Sequence, residues 1–456
     1  MIRMTSQLLA ETVNGRLRGA PDVPFEGVFT DTREPRPGGL FIALRGPRFD
    51  AHDKVTPELP AAVLLVERLL DLPQPQVLVA DTREALGRLA RAWRRQARAR
   101  VIALTGSNGK TTTKEMLRSI LAGVGSVHAT EGNLNNEIGA PLTLLAMPSD
   151  TDYAVIEMGA NHPGEIERIA RWVEPQVALI TNAGRAHLEG FGSLEGVAHA
   201  KAEIFSGLPA QGGTAVINLD DPFADYWLSL NAHHHCQRFS LEGGGEVEGM
   251  WQAPDRLRLV ILGAGRDLRL ASPGRHVAAN AVAAAACANA VGVGIDPIAR
   301  GLARWEPVHG RLEALRHASG ARIWDDSYNA NPDSLQAGLE VLASMPGRRV
   351  LVLGAMGELG GDAEILHAET GRRARAMGIE HCLVLGETAR ATARSFGQDG
   401  EWFADHVALR VRLEELLDPD TTVLVKGSRS QRMETVIEGL ELASATRETA
   451  DAVRAD

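Results

Sequence analysis

Residues 101–112 combine a short apolar run, a loop with two glycines and a Lys-Thr-Thr sequence. The apolar run predicts a buried strand, and Lys110 is predicted to begin a helix. Gly106 and Gly109 would let backbone N–H groups approach a phosphate, and the helix N-terminus adds partial positive charge. Lys110 would supply a compact cation, and the Thr111 hydroxyl could ligate Mg²⁺. The glycines lie two residues closer than in the usual phosphate loop, but we favour a nucleotide triphosphate site over an ordinary turn.

Lysine is rare in this chain. Lys and Arg together number 48 in 456 residues, but the lysines are only Lys54, Lys110, Lys114, Lys201 and Lys426. Arginine therefore serves most solvent-exposed cationic positions. The two side chains differ where a point charge must fit a phosphate, or where the amine itself must react. We assign the first property to Lys110 and the second to Lys201, and we assign no role to Lys54 or Lys114.

Composition and charge exclude several classes of protein. The net charge of −10 argues against general binding to nucleic acids or membrane surfaces, which requires a basic face. Cys236, Cys287 and Cys382 lie far apart, so the sequence indicates neither a disulfide framework nor a zinc site. No apolar stretch is long enough to cross a bilayer, and the first residues lack the apolar core of a signal peptide. We expect a cytoplasmic protein without nucleic acid partners or membrane insertion.

The order of predicted elements divides the chain into three units, at residues 1–97, 98–305 and 306–456. Alternating strands and helices predict an α/β fold with mostly parallel sheets, and ligands at the carboxyl ends of the strands. A strand at 40–44 and a helix at 85–98 are predicted in the first unit. Strands in the other two units are predicted at 153–156, 177–181, 214–217, 348–353, 381–385 and 421–425.

Three side chains could complete a metal site beside the phosphate loop. Glu157 ends a predicted strand, where a carboxylate is well placed to hold Mg²⁺. His187 follows another strand, although a loop histidine with satisfied hydrogen bonds is the alternative. Lys201 lies on a predicted helix about fourteen residues beyond His187. For Lys201 the alternative is a surface lysine that pairs with Glu203.

Longer motifs around these residues occur in order along all three units. They are residues 105–112, 132–143, 157–161, 186–192, 200–205, 325–334 and 426–429. In these motifs the chain resembles the ATP-dependent Mur ligases, which build the peptide stem of the bacterial cell-wall precursor. Two positions depart from the pattern. Ala355 stands where relatives often carry Asp, and Ala51 stands where Gly is common before His52, so we assign no catalysis to the loop at Met356.

The resemblance implies three domains. These are an N-terminal α/β UDP-binding domain (1–97), a central parallel-sheet P-loop ATPase domain (98–305) and a C-terminal Rossmann-like domain that binds an incoming dipeptide (306–456). The implied enzyme is a cytoplasmic bacterial ligase, expected to be a monomer. It would use ATP to phosphorylate the carboxylate of UDP-N-acetylmuramoyl-tripeptide, which the amine of D-alanyl-D-alanine then attacks. The alternatives are a tripeptide-forming ligase, a folylpolyglutamate-type ligase, a phosphate-loop kinase and a nucleotide-gated binding module.

The resemblance also implies roles for individual residues. The implied catalytic residues are Lys110, Lys201, His187 and Arg311. The implied ATP contacts are Gly106, Ser107, Asn108, Gly109, Lys110, Thr111, Thr112, Asn280, Arg311 and Asp326. Two Mg²⁺ ions are implied, one held by Thr111 and Glu157 and the other by His187 and a carbamylated Lys201. The implied UDP-sugar contacts are Thr30, Asp31, Thr32, Arg33, Asn133, Asn135 and Asn136, although an Asp-Thr-Arg turn also caps many helices.

Overall fold

The computed structural model of the protein describes residues 1–443, in three large sheets and two short antiparallel pairs, with helices packed against the large sheets. The strands of each sheet fall within one of the three predicted units, and the exact domain boundaries stay predictions. No helix of the described residues is both long and apolar enough to cross a membrane.

The first unit contains a five-stranded sheet in the order β2-β9-β8-β5-β4 and two short antiparallel pairs. Strand β5 is shorter than predicted, and α2 begins and ends earlier. The strands are β1 Arg3–Thr5, β2 Arg16–Arg18, β3 Pro24–Glu26, β4 Val28–Phe29, β5 Leu40–Ile42, β6 Arg45–Gly46, β7 Phe49–Asp50, β8 Val63–Val66 and β9 Gln76–Leu78. The helices are α1 Ser6–Val13 and α2 Thr82–Gln96.

Helix α2 joins the first unit to the second. Asp81 caps it by accepting hydrogen bonds from Arg83 N at 2.8 Å and Glu84 N at 3.0 Å. Its apolar face belongs to a buried cluster that continues into the central sheet. A Cβ at Gly87 would lie 2.1 Å from the Trp172 ring, so the helix approaches its neighbour as only glycine allows. The first unit is therefore fastened to the second by a close-packed helix.

The central unit is built on a nine-stranded sheet in the order β11-β12-β10-β13-β14-β15-β16-β17-β18. Its strands are β10 Arg100–Thr105, β11 Val127–Ala129, β12 Tyr153–Glu157, β13 Val177–Ile180, β14 Thr214–Asn218, β15 His235–Ser240, β16 Val247–Gln252, β17 Arg256–Ile261 and β18 Ala264–Arg269. Its helices are α3 Lys110–Leu121, α4 Gly139–Ala146, α5 Glu165–Val173, α6 Leu188–Phe191, α7 Leu194–Ala202, α8 Ala224–Leu230, α9 Arg275–Ala290 and α10 Ile295–Arg304.

The predicted parallel arrangement holds from β11 through β16, but β17 and β18 add an antiparallel edge. The prediction missed this edge. Buried Leu257 and Leu259 alternate with exposed Arg256 and Arg258, which is the period-two signal of a strand with one solvent-facing side. Strand β10 is instead buried on both faces because helices cover the sheet there.

The third unit has a six-stranded sheet in the order β19-β20-β24-β21-β22-β23, parallel except for β19. Its strands are β19 Glu313–Arg316, β20 Arg322–Asp326, β21 Arg348–Gly354, β22 His381–Leu385, β23 Gly400–Phe403 and β24 Thr421–Lys426. Its helices are α11 Pro332–Ser344, α12 Ala363–Ala376, α13 Arg390–Phe396, α14 His406–Glu414 and α15 Glu434–Glu438. The predicted strands are all present, within one residue of the expected ends.

Candidate active site

The loop between β10 and α3 has the geometry of a phosphate cradle. Strand β10 lies between β12 and β13, so the strand order reverses at its carboxyl end, where α/β sheets bind ligands. Gly109 has a φ of 80°, and a Cβ there would lie 2.1 Å from Asn280 Oδ1. Only glycine fits this position. Helix α3 begins at Lys110, so its N-terminal N–H groups face the loop.

Lys110 folds back over this loop. Its Nζ donates a hydrogen bond of 2.7 Å to Gly106 O and lies 3.4 Å from Ser107 O. Burial lowers the pKa of Lys110, while the nearby Glu157 carboxylate acts in the opposite direction. A desolvated ammonium with only carbonyl acceptors is a strong electrostatic partner for a phosphate that enters the loop.

Thr111 and Glu157 meet where β10 and β12 end. In the sheet register, Leu104 pairs with Glu157, which places the carboxylate beside the phosphate loop. Thr111 Oγ1 donates to Glu157 Oε2 at 3.1 Å, and Asn135 Nδ2 donates to Glu157 Oε1 at 2.8 Å. Glu157 is 2% exposed. Hydroxyl and carboxylate oxygens are the ligands that Mg²⁺ prefers, so this pair fits the predicted first metal site.

Lys114, for which the sequence suggested no role, is linked to Glu157 through Thr130. Its buried Nζ donates to Thr130 O at 2.6 Å, and it also pairs with Glu115. Thr130 Oγ1 in turn accepts a hydrogen bond from Glu157 N at 3.0 Å. The scarcity of lysine was the signal that could have identified this residue.

His187 and Lys201 pack on the same aromatic ring. Lys201 Nζ lies 5.2 Å from the Phe191 ring centroid, and the His187 ring meets Phe191 edge-on with centroids 6.3 Å apart. His187 adopts a left-handed backbone conformation, with a φ of 54°, immediately before α6. Burial is the main cause that lowers the pKa of His187, opposed by Glu358. Phe191 of α6 therefore lies between His187 and Lys201 of α7, the two predicted ligands of the second metal, at one side of the cleft.

Lys201 is a buried lysine without a hydrogen-bonding partner among residues 1–443. It is 1% exposed, and burial together with the Lys110 charge lowers its pKa from 10.5 to about 7. The alternative of a surface lysine paired with Glu203 is wrong. The Glu203 carboxylate instead accepts hydrogen bonds from Gly164 N at 2.7 Å and Glu167 N at 3.1 Å.

Residues of the third unit reach the same cleft. Arg311 Nη2 lies 3.3 Å from Thr111 Oγ1, and its guanidinium stacks 4.0 Å above the Tyr328 ring centroid. Lys426 Nζ donates to Asp326 Oδ2 at 2.5 Å, which holds that carboxylate at the end of β20. The lysine of the motif at 426–429 thus positions a predicted ATP contact.

Two further contacts cross from the third unit to the second, and the sequence analysis missed both. Asp333, at the start of α11, accepts hydrogen bonds from Arg185 N at 2.6 Å and Arg185 Nε at 2.9 Å. Asn331 Nδ2 donates to Asn108 Oδ1 in the phosphate loop at 2.7 Å. These bonds tie the start of α11 to the nucleotide side of the cleft.

The cleft has a volume of about 870 Å³, and most of the predicted site residues line it. Gly106 does not line the cleft, and its carbonyl oxygen accepts a hydrogen bond from the Lys110 ammonium. The predicted residues that line the cleft are Ser107, Asn108, Gly109, Lys110, Thr111, Thr112, Asn133, Asn135, Asn136, Glu157, His187, Lys201, Asn280, Arg311 and Asp326.

The structure divides five of the predicted uridine contacts between two clefts, while Thr32 and Arg33 line neither of them. Thr30 and Asp31 line a second cleft of about 670 Å³, between the first unit and the segment at 127–146. Arg33 pairs with Asp31 at the surface and lowers the pKa of that carboxyl to about 2. The predicted asparagines line the larger cleft, while their neighbours Glu131 and Leu134 line the smaller one. The segment at 131–136 therefore separates two adjacent clefts.

Comparison with known proteins assigns the family. The Mur ligase middle domain matches residues 104–288, and the Mur ligase, glutamate ligase domain matches residues 310–429. The UDP-N-acetylmuramoyl-tripeptide–D-alanyl-D-alanine ligase of Escherichia coli is 45% identical over 97% of this chain and 99% of its own.

Solved structures support the same family assignment. A crystal structure of MurF from Acinetobacter baumannii superposes with a TM-score of 0.91 at 36% identity, covering 96% of this chain and 98% of that one. MurF ligase from Thermotoga maritima in complex with ADP superposes with a TM-score of 0.80 at 27% identity, covering 91% and 96%. With near-complete coverage in both comparisons, the chain belongs to the Mur ligase family.

Proposed function

We propose that the protein is an ATP-dependent ligase that joins D-alanyl-D-alanine to UDP-N-acetylmuramoyl-tripeptide through an acyl phosphate, in peptidoglycan precursor synthesis. The observation that carries the proposal is the convergence of Lys110, Thr111, Glu157 and Lys201 of the second unit with Arg311 of the third around one cleft. The names of the relatives supply the two substrates, and the cleft supplies the charges that the reaction needs.

The first step requires an anionic carboxylate to approach an anionic γ-phosphate. Lys110 and the N–H groups at the start of α3 would hold the phosphates of ATP. Arg311, delivered from the third unit, would offset the charge that develops during transfer, as arginines do in phosphoryl transfer. Asn280 beside Gly109 would meet the adenine, and Asp326 would reach the ribose.

We propose two Mg²⁺ sites in this cleft. Thr111 and Glu157 would hold the first ion, and His187 with a carbamylated Lys201 would hold the second. Magnesium would neutralise the phosphate oxygens and the substrate carboxylate when bound. The residues present fit two Mg²⁺ ions. The buried Glu157 carboxylate faces Thr111 and Asn135, and Lys201 has no hydrogen-bonding partner among residues 1–443.

The environment of Lys201 supports its proposed carbamylation. The neutral amine attacks the carbon of CO₂, an N–C bond forms, and one proton leaves to solvent. The product is a carbamate whose oxygens can ligate Mg²⁺, which an ammonium cannot. The low pKa, the burial and the missing hydrogen-bonding partner all support this modification. A guanidinium has no equivalent reaction, which gives a reason for lysine in a chain dominated by arginine.

The second step is attack by the amine of the dipeptide, for which we propose the third unit as the binding domain. The contacts of Arg185 with Asp333 and of Asn108 with Asn331 would hold the two units together and exclude water. Water exclusion matters because an acyl phosphate hydrolyses readily. The smaller cleft beside Thr30 and Asp31 is proposed to hold the uridine nucleotide, and a cytoplasmic monomer is the expected form of the protein.

The test is phosphate release from ATP, measured with each substrate alone and with both. We expect release to require UDP-N-acetylmuramoyl-tripeptide and D-alanyl-D-alanine together. Lys110→Ala should abolish it, while Lys54→Ala, which changes an exposed lysine outside both clefts, should match the wild type. Equal kcat/KM with a free diamino acid or with glutamate in place of the dipeptide would refute the substrate assignment, and transfer of phosphate to a hydroxyl would indicate a kinase.

A further inference from the structure

A carboxylate of the third unit reaches the histidine of the proposed second metal site. Glu358 lies in the loop that follows β21, and this loop lines the large cleft. Glu358 Oε2 lies against His187 Nδ1, and the two form an ion pair only when the imidazole is protonated. Ala355 at the start of this loop gave no reason to expect catalysis there, yet the loop brings its only glutamate to a predicted metal ligand.

The backbone on both sides of the Glu358–His187 contact is unusual. Glu358 has a φ of 59° and His187 a φ of 54°. Residues other than glycine seldom adopt this left-handed conformation, and it recurs where a site demands a particular side-chain direction. Ser428, of the motif at 426–429, donates hydrogen bonds to Ala355 O at the start of this loop, from Oγ at 2.7 Å and from N at 3.2 Å. The loop is thereby held against the cleft.

The contact also leaves one ring nitrogen of the neutral imidazole free. A histidine that ligates a metal through one ring nitrogen commonly donates the other N–H to a carboxylate, which sets the tautomer and the orientation of the ring. With Glu358 at Nδ1, the nitrogen left for a metal is Nε2. The Phe191 ring packs against the same imidazole and also carries the Lys201 ammonium.

We propose that Glu358 is a positioning residue that holds His187 from the third unit and so completes the second Mg²⁺ site when the units close. This inference rests on the proposed function, since it presupposes a metal at His187. Its consequence is that binding of the second ion depends on closure. The acyl phosphate would then form only when the third unit, which is proposed to carry the dipeptide, is already in place.

The test measures metal binding directly on the full-length protein. Mn²⁺ serves as a paramagnetic probe, and free Mn²⁺ is quantified by electron paramagnetic resonance in the presence of ADP and UDP-N-acetylmuramoyl-tripeptide. We expect two Mn²⁺ ions per wild-type chain. Glu358→Gln should raise the Kd of the weaker site by about 10- to 100-fold, the usual effect of losing such an outer partner. Glu358→Asp should give an intermediate Kd.

The matched control is Glu364→Gln, which changes an exposed glutamate of α12 away from the cleft. It should bind both ions as the wild type does, and thermal melting should confirm that every variant is folded. If Glu358→Gln binds two ions with wild-type affinity, the role of Glu358 is refuted and the proposed function stands. If the wild type itself binds a single ion, the two-metal site and this inference both fail.

Discussion

Lys201 should react with CO₂ far faster than an ordinary lysine. Its pKa is lowered to about 7, so about half of the amine is neutral near pH 7. At pH 7, a lysine with the usual pKa of about 10.4 is neutral in only about one molecule in 2,500. Because only the neutral amine attacks CO₂, the rate at Lys201 should exceed that of an ordinary lysine by roughly a thousandfold.

The rate of carbamate formation at Lys201 should rise with pH. The pKa of Lys201 is lowered, so the reactive amine is present above about pH 7 and is lost as the pH falls through that value. Between about pH 8 and about pH 6 the neutral fraction falls from about 0.9 to about 0.1. At constant dissolved CO₂, the initial rate of carbamate formation should therefore fall by roughly tenfold.

The assay is ¹³C nuclear magnetic resonance of protein incubated with ¹³C-labelled bicarbonate. The wild type and Lys54→Ala should both show a carbamate resonance, and Lys201→Ala should lack it. Lys201→Ala should also be nearly inactive, and acetate should partly restore activity by supplying ligand oxygens. A carbamate resonance that persists in Lys201→Ala, or a rate that does not change with pH, would refute the reasoning. Full activity of Lys201→Arg would refute it as well.

Three further substitutions test the rest of the cleft. Gly109→Ala should weaken ADP binding, measured by calorimetry, because the added Cβ would meet Asn280 and the left-handed backbone alone costs about 1–2 kcal/mol. An unchanged Kd for ADP would contradict this prediction. Arg311→Ala should lower kcat for phosphate release by about 10²–10³-fold, and near-normal turnover would remove its proposed role. Asp333→Ala should lose the hydrogen bonds and the ion pair with Arg185. Solution scattering with ADP and UDP-N-acetylmuramoyl-tripeptide should therefore show a less compact particle than the wild type. An equally compact particle would count against closure through this contact.

Local features of the site could be read from the sequence because strand, loop and helix follow one another directly. The apolar run before Gly106 had to be a buried strand, and Lys110 had to begin the next helix. Glu157 was predictable for the same reason, since a carboxylate at the end of an apolar strand lies at the ligand-binding edge of a parallel sheet. The scarcity of lysine pointed to Lys201, which the structure buries.

The uridine contacts were less predictable. Thr30 and Asn135 were grouped because their motifs belong together in the family, but they line different clefts. The separation depends on how the first unit packs against the second through α2. That packing rests on Gly87 approaching Trp172, a pairing that neither residue reveals alone.

The sequence by itself predicted the chemistry of each motif, namely a phosphate loop, a metal-binding carboxylate at Glu157 and a reactive lysine at 201. Only the tertiary structure decided which distant residues complete the site. Glu358 and Asp333 sit more than a hundred residues beyond the residues that they contact. Although Asp333 lies within the motif at 325–334, no pattern in either segment identifies the partner that it meets. Their roles arise because two separately folded sheets face each other across a cleft, and such long-range contacts depend on packing geometry, which short sequence patterns do not encode.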